Sequence, residues 1–244
     1  MKGFKIEVCC NTAADAFAAK EAGADRVELC SALALGGLTP SMGELQAAKR
    51  AHIEIAAMAR PREGGFCYNE IEFETMLLDT EAMLRAGAGG IVFGILKPDG
   101  TVDTARCTKM REMIGEKTAV FHRAIDVTPN WRDAIDALCE LGFDRVLTSG
   151  QRPTAIEGAK TIREMMDYAA GRIDILPGAG IRLENAEGFV KQTGVKELHV
   201  SMRAFRPDLS TSANPEIRFG GDYEQGYAAV DARALRKLVE LFKF

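Results

Sequence analysis

Two short segments end alike: Ile6-Glu7-Val8-Cys9 and, 21 residues on, Val27-Glu28-Leu29-Cys30. In an extended strand successive side chains face opposite ways, so Glu7 and Cys9 share one face and Ile6 and Val8 the other. Glu28 and Cys30 pair on a face in the same way. If the two strands are parallel neighbours about 5 Å apart, both thiols converge on one small ligand. Thiolates are soft donors, so such a pair prefers Cu(I) to magnesium or calcium, and two sulfurs serve a low-coordinate ion. The plain alternative is two small buried cysteines. Cys9 and Cys10 are adjacent and diverge in a strand, which leaves Cys10 a weaker donor, and Cys107 and Cys139 fall in helical stretches where packing is their use.

Positioning these residues falls to a repeated unit: a short β-rich run, a loop with Gly or Pro, then an amphipathic helical stretch. Eight such units are readable, with strands near residues 4–9, 26–30, 53–58, 90–94, 117–122, 145–148, 172–176 and 197–201. Eight alternations in a chain of 244 residues predict a (β/α)8 TIM barrel spanning residues 1–244 as one domain, in preference to an open doubly wound sheet. Gly23, Gly87 and Gly142 stand where helices hand over to strands, as left-handed caps require.

A barrel places its chemistry at the C-terminal strand ends and the loops beyond them. Arg60 and Arg62 follow the third strand, His122, Arg123 and Asp126 the fifth, Thr148 and Ser149 the sixth, and Gly178 and Gly180 the seventh, while His199 and Ser201 share a face of the eighth. Parallel strands are ordinarily apolar on both faces, so Glu7, Glu28, Arg60, His122 and His199 are expected to compensate one another in one polar cluster at the barrel mouth. A buried salt-bridge network closing the core is the structural alternative.

The ordered series Gly23-Ala24-Asp25-Arg26-Val27-Glu28-Leu29-Cys30, Gly36-Gly37-Leu38-Thr39-Pro40-Ser41, Arg60-Pro61-Arg62, Phe121-His122-Arg123-Ala124, Leu147-Thr148-Ser149-Gly150 and Pro177-Gly178-Ala179-Gly180-Ile181 resembles the CutC copper-homeostasis family. The resemblance runs from the first strand to the eighth. It implies a single barrel, a cytoplasmic protein and a part in copper handling, with Cys9 and Cys30 at the family's proposed Cu(I)-binding positions. One departure lies in Arg62-Glu63-Gly64-Gly65-Phe66, where many members carry an Asp before the Phe.

A rival function is an enzyme acting on a small phosphorylated or carboxylate metabolite. Arg60 and Arg62 would clamp the anion, with backbone amides at Gly178 and Gly180, and with Arg123, Thr148, Ser149 and Ser201 as further contacts. Glu7, Glu28, His122, Asp126 and His199 would supply acid and base. A third reading gathers His122, His199 and the two glutamates around a divalent metal. No Walker A loop, dinucleotide fingerprint or His-Glu-x-x-His motif is present, so no nucleotide or organic cofactor is expected.

Charge excludes other partners. The net charge is −4 and no basic stripe occurs, which argues against nucleic acid and anionic membranes. The first residues run directly into a strand, without a signal-like apolar stretch, and no run approaches the roughly 18 apolar residues of a membrane span. A cytoplasmic location with reduced thiols is expected for the six cysteines. Residues 203–229, rich in breakers, predict a long loop after the eighth strand, serving as a lid or partner-facing arm, with Asp231 capping the last helix. Barrels often pair, so a homo-oligomer, as a dimer, is the expected assembly.

Overall fold

Strands and helices alternate along the chain as the hydrophobic rhythm predicts. The computed structural model describes residues 3–214, 216–217 and 226–243. Its barrel strands are β1 (Lys5–Cys10), β2 (Arg26–Leu29), β3 (Glu54–Met58), β4 (Gly90–Phe93), β5 (Thr118–Phe121), β6 (Arg145–Thr148), β7 (Asp174–Pro177) and β8 (Glu197–Val200). Between them run α1 (Ala13–Ala22), α2 (Met42–Lys49), α3 (Glu70–Arg85), α4 (Thr104–Ile114), α5 (Trp131–Glu140), α6 (Ala159–Ala169) and α7 (Leu183–Thr193). The ladders are all parallel, in the order β7-β6-β5-β4-β3-β2-β1-β8, and β7 and β8 at the ends of that order lie side by side. The sheet thus curls into the nearly closed (β/α)8 barrel that the eight units imply.

Strand alternation divides the side chains into two populations. Ile6, Val8, Val27, Leu29, Ile91 and Phe93 point outward and join the helices in one large apolar layer. Cys9, Cys30, Ala56, Met58, Val92 and Val120 form a second, smaller cluster inside the barrel. Their faces continue into charged residues, because Glu7 and Arg26 lie two and four places before Cys9 and Cys30 on the same sides of β1 and β2. The lumen is therefore apolar on its β3–β5 side and polar where β8, β1 and β2 adjoin.

Local signals set the helix boundaries. Thr12, Ser41, Asn69, Asp103 and Asn130 each accept a backbone N–H at a helix start, and Asn69 and Glu72 do so reciprocally. Two glycines are required by close approach. A Cβ on Gly94 would lie 2.5 Å from the His122 ring, and one on Gly178 would lie 2.7 Å from Leu147 and 3.1 Å from His199. Both positions give lumen side chains room at the mouth.

The region beyond β8 differs from the loop predicted there. Arg203–Pro207 forms β9 and Gly226–Val230 forms β10, an antiparallel ribbon whose register pairs Arg203 with Val230 and Phe205 with Ala228. Breaker residues dominate the composition of the stretch, whereas the ladder depends on two segments that meet only after the chain has turned back. Val230 N–H donates to Asp15 Oδ1 at 2.8 Å, which fixes the base of the ribbon to α1. Three of the breakers, Pro215, Gly220 and Gly221, lie outside the described residues. Then α8 (Ala232–Lys243) begins, with Asp231 accepting from the backbone of Arg233 and Ala234, as expected of its cap. No helix among the described residues is long and apolar enough to cross a membrane.

Candidate functional site

Parallel registry brings the two Glu-x-Cys endings together. Cys9 stands beside Glu28 in the β1–β2 ladder, and Glu7 stands between Arg26 on β2 and His199 on β8. The Cys9 and Cys30 sulfurs are 3.7 Å apart, far beyond the roughly 2 Å of a disulfide. Cys9 Sγ also donates to Glu28 Oε2 at 3.2 Å. On the other side, His199 Nδ1 meets Glu7 Oε1 at 2.7 Å and Nε2 faces Glu28 Oε2 at 3.8 Å. Cys9, Glu28, Cys30, Glu7 and His199 are all buried, so these contacts form inside the lumen rather than on an open surface.

Each group's protonation follows from its neighbours. Burial favours a neutral Glu7, but the hydrogen bond with His199 and the charge of Arg26 outweigh it and bring the carboxyl down to about 2. Burial pushes the Glu28 pKa up, and the charge of His199 at 3.8 Å opposes that rise without cancelling it. Burial opposes a charge on His199, yet Glu28, Cys9 and Glu7 together push its pKa well up. The hydrogen bond with Cys30, then burial, push the Cys9 thiol well above its ordinary range. Cys30 gains thiolate character from the contact with Cys9, but burial and Glu28 still raise it. Without a metal the site therefore holds protonated thiols, and a cation entering it must displace protons.

The single cluster expected at the mouth divides in two. Glu7, Glu28 and His199 continue downward into Arg26, which binds Glu7 at 2.5 Å and Glu197 at 2.7 Å, and into Arg145, 3.8 Å from Glu7 and 3.5 Å from Glu54. Arg60 and His122 stand apart. Arg60 donates to the carbonyls of Leu35, Gly37 and Gly64 and lies over Phe66, whose other neighbour is the His122 ring at 4.8 Å. Burial and the Arg60 charge lower His122 to about 3, and its Nδ1 accepts from Ala124 N–H. The separation has a simple cause: the loop carbonyls supply Arg60 with nearby acceptors, so it does not need the lumen carboxylates.

The other predicted residues are also held by the protein itself. Arg62 pairs with Glu72 at 2.5 Å and stacks on Tyr68. Asp126 accepts from Arg123, Thr148, Ser149 and Gln151, so Arg123, Asp126, Thr148 and Ser149 knot together the loops after β5 and β6. Gly178 spends its N–H on Thr148 O. Gly180 and Ser201 line a surface cavity of about 600 Å³ with Arg182 and Arg203. Sequence reasoning missed Arg26, Arg145 and Glu197. The signal was available: Arg26-x-Glu28-x-Cys30 and Glu197-x-His199 continue the same strand faces toward the other end of the barrel.

Fold and site together define a TIM-barrel protein with thiol, carboxylate and imidazole groups gathered inside the strand ring. The family model of the CutC family matches residues 4–204. A CutC family protein of Treponema denticola is 47% identical over 244 residues, covering 100% of this chain and 99% of the relative. A human relative named as a copper homeostasis protein CutC homolog is 37% identical over 245 residues, covering 99% of this chain and 90% of its own length. A solved structure from Streptococcus agalactiae, described as a proposed copper homeostasis protein CutC, superposes with a TM-score of 0.77 at 34% identity, covering 81% of this chain and 98% of that one. The chain belongs to the CutC family. An aldolase barrel, at 15% identity and a TM-score of 0.59, shares the fold alone.

Proposed function

We propose that this protein takes part in copper homeostasis and that Cys9 and Cys30 bind Cu(I) at the inner edge of the barrel mouth. The 3.7 Å separation of the two sulfurs carries this reading, because it lets one soft ion contact both without rearrangement of β1 or β2. The human relative's name, with its reference to copper, supports it. Six free cysteines suit a reducing cytoplasm, and a dimer is the assembly we propose. The alternative of an enzyme for an anionic metabolite finds its clamp engaged, Arg60 by loop carbonyls and Arg62 by Glu72.

Anaerobic Cu(I) titration against a competing chelator tests the assignment. Wild-type protein is expected to take up one Cu(I), and Cys9→Ser and Cys30→Ser each to lose that uptake. Unchanged affinity and stoichiometry in both variants would remove copper from these thiols.

A further inference from the structure

Both thiols of the proposed copper site are covered. Cys9 keeps 8% of its surface exposed and Cys30 none, so an ion that is to reach both needs a way in. We propose that residues 32–37, in the loop after β2, are a flap closed over Cys30, and that Arg60 is the latch that holds it shut. The flap rests on the copper reading for its purpose, but neither its geometry nor its test depends on copper.

The first observation is what the flap covers. Leu33 packs against the lumen cluster that contains Cys9, Cys30 and Met58. A Cβ on Gly37 would lie 3.4 Å from Cys30 Sγ and 3.7 Å from Leu33 Cδ2, so the Gly37 backbone and the Leu33 side chain sit together at that thiol. Leu35, two residues on from Leu33, is 47% exposed, which leaves the other side of the flap in solvent.

The second is how the flap is hung. Ser31 and Leu38 exchange both backbone hydrogen bonds, at 2.9 and 2.8 Å, and so close its base. Inside that base Leu35 and Gly37 donate to Ala32 O and Gly36 donates to Leu33 O, which makes the segment a compact unit with its own bonds. Left-handed backbone stands at both ends, Ala32 at φ 48° and Gly36 and Gly37 at φ 87° and 86°. Glycine adopts that conformation without strain, whereas alanine holds it only where its surroundings impose it. Hinges are few-residue positions of this kind, able to absorb a large backbone change.

The third is the latch. Arg60 Nη1 donates to Leu35 O at 3.0 Å and to Gly37 O at 2.9 Å, and Nη2 donates to Gly64 O at 2.9 Å. Among the described residues the flap's one other hydrogen bond to the rest of the protein runs from Leu33 N–H to Asn11 Oδ1, at 3.3 Å. Arg60 is itself anchored, because its backbone N–H donates to Thr39 Oγ1 and its carbonyl accepts from Thr39 N–H. Its side chain is buried and meets no carboxylate among the described residues, so loop carbonyls alone offset the charge. Opening the flap breaks these few bonds and the Leu33 contact while the strands stay paired, which is a local rather than a global event.

Alkylation of Cys30 by iodoacetamide in reduced, metal-free protein, followed peptide by peptide by mass spectrometry, tests the flap without copper. In the wild type the rate is expected to stay flat through low urea and to rise only near the unfolding transition, as a local opening requires. Arg60→Gln should raise it about ten-fold or more, the factor equivalent to one hydrogen bond to a charged group. Leu33→Ala, which removes the cover and leaves the latch, should also raise it. Cys107, buried on α4, should label no faster in either variant. Cu(I) association followed by stopped flow should quicken along with Cys30 labelling. A wild-type rate that climbs with the first urea along the slope of global unfolding would overturn the flap, as would unchanged Cys30 labelling in both variants, or Cys30 and Cys107 rising together. Failure of the copper reading looks different: unchanged Cu(I) uptake in Cys9→Ser and Cys30→Ser, beside Cys30 labelling in the wild type that still depends on Arg60 and Leu33.

Discussion

His122 shows how one buried side chain makes stability depend on pH. Its ring lies against Phe66, and burial together with the Arg60 charge lowers its pKa from 6.5 to about 3. Between those values the unfolded chain binds a proton that the folded protein does not. The stabilisation is therefore complete above pH 6.5 and declines as the pH falls toward 3. The slope for one such group approaches about 1.4 kcal/mol per pH unit. Urea unfolding at a series of pH values should show this decline, and His122→Asn, which keeps an acceptor for the Ala124 N–H, should flatten it. An equal slope in both proteins would show that other groups govern the acid limb. At this scale sequence reasoning found the right residue types but not their company. Glu7, His199 and Glu28 do meet, whereas Arg60 turns to carbonyls of loops that no local pattern could place beside it.

Among the elements, the one after the eighth strand departs most from expectation. Its alternation was masked by prolines, glycines and serines, and a ribbon is visible only when Arg203–Pro207 has found Gly226–Val230. The helix that follows is a local matter and was readable as such. Asp231 accepts from two backbone N–H groups of the first turn of α8, and its own N–H donates to Met202 O at 2.7 Å. Asp231→Ala is expected to cost about 1 kcal/mol. In a chain of this size that lowers Tm by roughly 2–4 °C. Asp231→Asn, which retains the cap acceptor, should recover most of the loss in a thermal melt. Equal losses in both would point to a role other than capping.

Across the whole molecule, β1 ties the ends of the chain together, because it pairs with β2 on one side and β8 on the other. Outside it, α8 buries Leu235, Leu238, Val239 and Phe242, and Phe242 stacks on Phe4 at 4.5 Å between ring centroids. Lys243 adds a contact with Asp25 at 2.7 Å. The barrel therefore depends on its last helix to cover its first strand. Each large side chain lost from such a layer typically costs 2–5 kcal/mol, so removing several exceeds the usual stability of a folded domain. A chain ended after Val230 is expected to lose cooperative unfolding by circular dichroism and to expose apolar surface to a dye. Retained cooperative melting would show that the ring stands without α8.

The sequence alone determined the eightfold alternation, the faces shared by Glu7 with Cys9 and by Glu28 with Cys30, and the membership of the CutC family, because periodicity and ordered motifs are local properties of the chain. The tertiary structure decided which of the polar residues touch. Closing the ring set β8 against β1 and so joined His199 to Glu7 across 192 positions of sequence, while strand registry placed the Cys9 thiol beside Glu28. Those meetings arise from barrel curvature and ladder offset, which belong to the whole sheet and leave no signature in any one segment.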